Sequence, residues 1–263
     1  MQNYGEYDVV VVGGGVAGCA AAISAARVGA KVILIERLGS VGGMMNVTGP
    51  PGWAFSHLWN NRGEEIIAGL VKETHHRLEK DGKALPYPAP GDRYYSSSAF
   101  VDPDWWGLLI FEMLKEANVT LLLHSLVVDV VKTGDNVEGV IVENTNGRMS
   151  VRGKVVIEAS GEGDIAVRAG VPYTKIDRTK EEIDPPSITF HMDGVDWDKA
   201  TAYVKAHVDD FVPKYGDPNR PGVDDFQRNF EKKWKVEYRE RLLKCNSILD
   251  LVREGILGQM DWD

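Results

Sequence analysis

The sequence predicts an α/β fold built on a parallel sheet, with a smaller α+β region beyond it. Three observations carry that expectation. Tyr7–Val12 (YDVVVV) and Lys31–Glu36 (KVILIE) are short β-branched runs of the kind that strands buried on both faces require. Between them a glycine turn leads into the small, helix-forming residues Ala17–Arg27, so strand, turn, helix and strand follow within roughly thirty residues. A third such run, Lys154–Ala159 (KVVIEA), arrives much later in the chain.

The elements between these runs follow from local signals. Leu38–Asn61 is rich in Gly, Pro, Met, Asn and Trp and reads as ordered loop. Gly63–Glu79 carries Ile66, Ile67, Leu70, Val71 and Leu78 at helical spacing, with Gly82 as a stop, and predicts a surface helix. Lys83–Phe100 predicts a second loop. Asp102-Pro103-Asp104 is a helix start, because an Asp cap precedes a proline whose missing N–H costs nothing in the first turn, and that helix should reach Ala117. Thr120–His124, Leu126–Lys132, Val137–Asn144 and Met149–Arg152 read as successive short strands, with Gly134-Asp135-Asn136 and Asn146-Gly147 as turns. Ser187–Met192 is a further strand candidate. Phe226, Phe230, Trp234, Tyr238, Leu242, Cys245, Leu249 and Val252 form one apolar helical stripe, suited to packing on its own domain or to pairing with a second copy.

Composition narrows the function classes. With 43% hydrophobic and 26% charged residues the chain is an ordinary globular one. A net charge of −9 repels phosphate backbones and anionic headgroups, which argues against nucleic acid as a partner. Cys19 and Cys245 are the only cysteines, too few for a disulfide framework or a zinc ribbon, and a reducing cytoplasm is the expected location. Val9–Ala26 carries no charge, but Glu6 and Asp8 precede it and Gly13–Gly15 divides it, so no signal peptide or membrane span is expected there.

Gly13, Gly15 and Gly18 form G-x-G-x-x-G between strand and helix, and Glu36 ends the second strand. Gly13 permits the tight turn, Gly15 lets a pyrophosphate approach the backbone, and Gly18 lets helix and strand pack closely. The free N–H groups at the helix start then face the phosphates. Glu36 suits the ribose hydroxyls and would repel the 2′-phosphate of NADP. These residues alone leave FAD and NAD both open. Two later features bear on the choice: a second glycine loop, Gly39-Ser40-Val41-Gly42-Gly43, and Ser160-Gly161-Glu162-Gly163-Asp164 after the third buried run. The latter also reads as a G-x-G-x-x-A turn for NAD(P)H, but Glu162 and Asp164 would face the pyrophosphate and no acid-ended strand follows at the right distance.

Taken in order, DVVVVGGGVAGCAAAISAARVGAKVILIER, SVGGMMN and VIEASGEGDIAVRAGVPY resemble the FAD-dependent oxidoreductases of the glutathione-reductase-like flavin fold, on the branch related to fumarate reductase and succinate dehydrogenase flavoproteins. The resemblance covers roughly residues 5–195 and implies a Rossmann-like FAD-binding domain over 1–170, with an insertion at about 44–105, followed by a substrate or cap region over 171–263. It implies non-covalent FAD held by Gly13, Gly15, Gly18, Glu36, Arg37, Gly42 and Gly43, by the backbone of Val127, and by Gly161, Gly163 and Asp164. Ser160 stands where the family usually has Thr and keeps the hydroxyl. Hydride transfer between flavin N5 and a small-molecule substrate is the implied activity. An electron-transfer subunit of a multi-component complex and a thiazole-synthase-like enzyme are the alternatives. Family members usually return to the flavin with a late glycine-rich segment, and nothing after Asp164 has that character. A further C-terminal segment or a second polypeptide is therefore expected to complete the site, and a homo-oligomer is a further expectation.

Catalytic candidates are weaker. No cysteine stands at Gly43-Met44-Met45-Asn46, where a redox disulfide would be expected, and Cys19 and Cys245 read as buried filler. His57 and His191 are candidate proton donors or acceptors, and Arg93 is a candidate for a substrate carboxylate. His75 and Glu79 share a helix face but read as solvated rather than as metal ligands, so no metal is expected.

Overall fold

The computed structural model describes residues 2–47, 53–55, 58–60, 62–87, 99–174, 194–207, 240 and 243–244. Its centre is a six-stranded sheet in the order β5-β2-β1-β8-β7-β6. Strands β1 (Gln2–Val12), β2 (Val32–Ile35), β5 (Thr120–Leu122) and β8 (Gly147–Glu158) run parallel, while β6 (Leu126–Thr133) and β7 (Asn136–Asn144) add an antiparallel meander beside β8.

The all-apolar runs are explained by burial on both faces. Val11, Val32 and Leu34 face one core, where helix α1 (Val16–Arg27) contributes Cys19, Ala22 and Ile23 and helix α4 (Pro103–Glu116) contributes Trp106, Ile110, Met113 and Leu114. Their sequence neighbours Val10, Val12, Ile33 and Ile35 point to the other side, against Val140, Val142, Met149, Val151 and Ile165. Alternate residues of one strand thus serve two cores, and each large aliphatic side chain so buried contributes roughly 1.5–3 kcal/mol.

The α4 start forms as expected. Asp102 accepts hydrogen bonds from the N–H groups of Asp104 at 3.0 Å and Trp105 at 3.1 Å, with Pro103 in the first turn. Other boundaries move. Met149–Arg152 and Lys154–Glu158 are one continuous strand, β8, because the first part pairs with β7 and with the polar N-terminal residues of β1 at once. Those polar residues, Gln2–Glu6, have no strand pattern of their own and are strand because β8 offers them a partner.

The expected helix Gly63–Glu79 is shortened to α3 (Leu70–Lys80). Ahead of it, Asn60 Oδ1 accepts from the N–H groups of Arg62 at 2.9 Å and Glu64 at 3.0 Å, and the Ile66 N–H donates to Leu58 O at 2.8 Å. Such a side-chain-stabilised turn competes with helix for the same donors. The two expected loops hold the short helix α2 (Met44–Val47) and the strands β3 (Trp53–Phe55) and β4 (Ala99–Phe100), which pair antiparallel. Helix α5 (Asp164–Ala169) follows β8, whose end at Lys154–Glu158 was expected to be buried but is partly exposed, and α6 (Trp197–Ala206), capped by Asp196, was not expected from sequence. Ser187–Met192 and the named residues of the Phe226–Val252 stripe lie outside the described residues. Among the described residues no helix is long and apolar enough to cross a membrane.

Candidate functional site

The parallel strands β1, β2 and β8 deliver three loops to one end of the sheet, their carboxyl ends, where open α/β sheets bind ligands. The first is Gly13–Gly15. Gly13 has φ +99°, and a Cβ there would stand 2.5 Å from Ala159 O and 2.7 Å from Ser160 Cα. A Cβ at Gly18 would collide with the carbonyl oxygen of Gly13. Both glycines are therefore demanded by protein packing. Gly15 is different: a Cβ there would meet no atom of the described residues within 4 Å. It begins α1 with no side-chain cap and no acidic residue in the first turn, which leaves a helix N-terminus open to an anion.

The second glycine loop lies on the first. Gly42 N–H donates to Gly14 O at 2.8 Å, and a Cβ on Gly43 would stand 2.8 Å from Gly15 Cα. From the core side, Trp106 Nε1 donates to Gly42 O at 3.4 Å and Asn46 Nδ2 to Val41 O at 2.8 Å, tying the loop to α4 and α2. Sequence reading missed both anchors, because neither residue type signals a loop clamp.

Glu36 is buried just past β2. One carboxylate oxygen accepts from the Gly14 N–H at 2.6 Å and the other from the Leu38 N–H at 2.8 Å. Its side chain thus joins the two glycine loops; each oxygen retains a lone pair for a further donor. Ser125 was also missed in the sequence. Its N–H donates to Glu36 O at 2.9 Å, and its hydroxyl, which donates to Leu123 O at 2.9 Å, accepts from Asn144 Nδ2 at 3.0 Å.

A groove of about 70 Å³ runs between these parts, lined by Val12 and Gly13, Glu36 and Arg37, Ser125–Val127, and Ser160, Glu162, Asp164 and Ile165. The structure thus brings Gly13, Glu36, Arg37, Val127 and Asp164 together, while Gly15, Gly18, Gly42, Gly43, Gly161 and Gly163 shape the backbone around them. The volume is far below the ~300 Å³ of a closed ligand pocket, so the groove by itself could enclose only part of a dinucleotide. At Gly15, Gly161 and Gly163 no described residue would meet an added Cβ.

His57, Arg93 and His191 lie outside the described residues. His75 corrects the solvated-face reading: it is 0% exposed and packed edge-on to Tyr87. Burial lowers its pKa, opposed by Glu79, whose carboxylate is 3.8 Å away. Cys19 is buried, donates to Gly14 O at 3.1 Å, and burial pushes its thiol pKa up to about 12, an unreactive filler as expected.

Residues 8–252 match the family described as FAD dependent oxidoreductase. The chain belongs to this family. Its cofactor is FAD. Protein FixC of Escherichia coli O157:H7 is 32% identical over 177 residues, covering 60% of this chain and 37% of the relative. Digeranylgeranylglycerophospholipid reductase 2 of Methanopyrus kandleri is 32% identical over 173 residues, covering 65% of this chain and 42% of the relative. The chain thus spans well under half the length of these curated relatives. A geranylgeranyl bacteriochlorophyll reductase-like structure from Thermoplasma acidophilum is 21% identical with a TM-score of 0.47, covering 68% of this chain and 44% of the other.

Proposed function

We propose that this chain binds FAD non-covalently along the three-loop groove and serves an oxidoreductase acting on a small-molecule substrate. The observation that carries the reading is the contrast at the first glycine turn: Gly13 and Gly18 are filled in by protein atoms, whereas Gly15, at a helix start without a side-chain cap, meets no atom of the described residues. A position kept free of a side chain without a protein neighbour to demand it is one kept free for a ligand.

The residues divide the work. The α1 N-terminus, opened by Gly15, takes the diphosphate, and Gly42 and Gly43 let the second loop lie close to it. Glu36 receives the ribose hydroxyls with the lone pairs left over from its two backbone bonds, and the Val127 backbone borders the adenine beside Arg37. Asp164, with Gly161 and Gly163, forms the wall nearer the ribityl chain. FAD held there would supply two-electron chemistry, hydride exchange between its N5 and a small-molecule substrate, while these residues would bind its diphosphate, ribose and adenine. The segments 44–61 and 83–100 and the region after Val171 are assigned to the substrate side, with His57, Arg93 and His191 as its candidate polar groups.

The test is to identify the bound cofactor. The purified protein should be yellow and should release FAD, not NAD, into the supernatant after acid precipitation. A colourless protein that takes up no flavin on reconstitution, or one that releases only NAD, overturns the reading; flavin remaining in the pellet overturns its non-covalent part. Alanine at His57, Arg93 and His191, tested one at a time, should slow turnover at one of them at least while FAD content stays constant.

A further inference from the structure

We infer that Glu158, the last residue of β8, is a positioning residue that holds the third loop against the cofactor groove. One carboxylate oxygen accepts from the Ser160 N–H at 2.6 Å and the other from the Ile165 N–H at 2.9 Å, so a single side chain spans the loop from its first residue to the first turn of α5. Among the described residues these are the side-chain hydrogen bonds that reach the backbone of that loop. Its two glycines, Gly161 at φ +93° and Gly163 at φ +72°, have no atom of the described residues within 4 Å of an added Cβ, so packing among those residues does not hold them. Gly163, at the N-cap position of α5, offers no side-chain cap, and Glu158 supplies the missing acceptor from five residues upstream of it.

The loop so held places Ser160, Glu162, Asp164 and Ile165 along the groove, opposite Glu36 and Arg37. Its base is fixed independently, since the Ala159 N–H donates to Val12 O at 2.8 Å and Glu158 itself pairs in register with Val12. Loss of the carboxylate therefore frees the loop without unpairing the strand. Glu158 and Glu36 play matching parts: each stands at the end of a parallel strand and binds two backbone N–H groups with its two oxygens. Charge-assisted bonds of this kind are roughly twice as strong as neutral ones, which explains why an acid rather than an amide suits the position.

This inference rests on the proposed FAD site, and the experiment separates the two. FAD affinity is measured by flavin fluorescence for wild type, Glu158→Gln and Glu158→Ala, and amide hydrogen exchange at Ser160 and Ile165 is followed on the same proteins without cofactor. Faster exchange at those two amides in Glu158→Ala, FAD affinity at least tenfold weaker, and partial rescue of both by Glu158→Gln are expected. A general loss of fold would not be rescued in that graded way, and if Glu158→Ala does not fold, the Gln variant decides alone by weaker affinity and faster local exchange. Wild type that binds no FAD overturns the site itself; wild-type affinity and unchanged exchange in the variants overturn the role of Glu158 only.

Discussion

The first glycine turn and the third loop look alike as strings of letters, each a G-x-G following a buried strand, yet their glycines are there for opposite reasons. At Gly13 and Gly18 neighbouring backbone atoms occupy the space a side chain would need. At Gly161 and Gly163 no described residue occupies that space, and the left-handed backbone is what selects glycine. A tight turn is held by packing and fails when packed worse; an open loop is held by a few hydrogen bonds and fails when those are cut.

That contrast can be broken by single substitutions. Gly18→Ala should do the most damage, because its methyl overlaps the Gly13 carbonyl against an otherwise closed core: a loss on the order of 3 kcal/mol in urea unfolding is expected, and a stability within 0.5 kcal/mol of wild type would show that the turn is not closely packed. Gly15→Ala should leave unfolding unchanged, since φ −71° is ordinary for any residue, yet weaken FAD by tenfold or more, about 1.4 kcal/mol. Equal affinity would place the diphosphate elsewhere. Gly163→Ala should cost about 1 kcal/mol of stability from left-handed strain alone, with no steric component; a loss as large as that of Gly18→Ala would erase the distinction between the two loops.

The smallest expected effect lies outside both loops. Burial depresses the pKa of His75 below the ordinary value of 6.5, so the unfolded chain binds more protons than the folded one as pH drops past that value. Stability from this group is complete above about pH 6.5 and declines below it until the folded protein also takes up the proton. Urea midpoints at pH 7.5 and 5.5 should differ less in His75→Phe than in wild type, and an identical difference would show that His75 does not contribute.

Much of the body was legible in the chain. YDVVVV and KVILIE became adjacent parallel strands because uninterrupted β-branched runs suit strands covered on both faces, whereas KVVIEA pairs beside β1 but stays partly exposed, Val155 at 52%; Asp102-Pro103 capped its helix as local chemistry requires. The first residues of β1 and the missing turns of α3 were not legible. In both, distant partners, β8 and the Asn60 turn with Leu58, decide which donors the backbone satisfies.

The same division runs through the site. Glycine spacing, the acid after β2 and the Ser-Gly-Glu-Gly-Asp run are properties of the chain, because positive φ and a strand-turn-helix order are dictated by residues adjacent in sequence. That Glu36 joins two glycine loops, that Trp106 and Asn46 pin the second, that Glu158 spans the third, and that His75 is buried were settled only by tertiary structure. Those facts depend on which side chain meets which N–H across a sheet, and a carboxylate or an imidazole carries no mark of its eventual partner until the strands around it have paired.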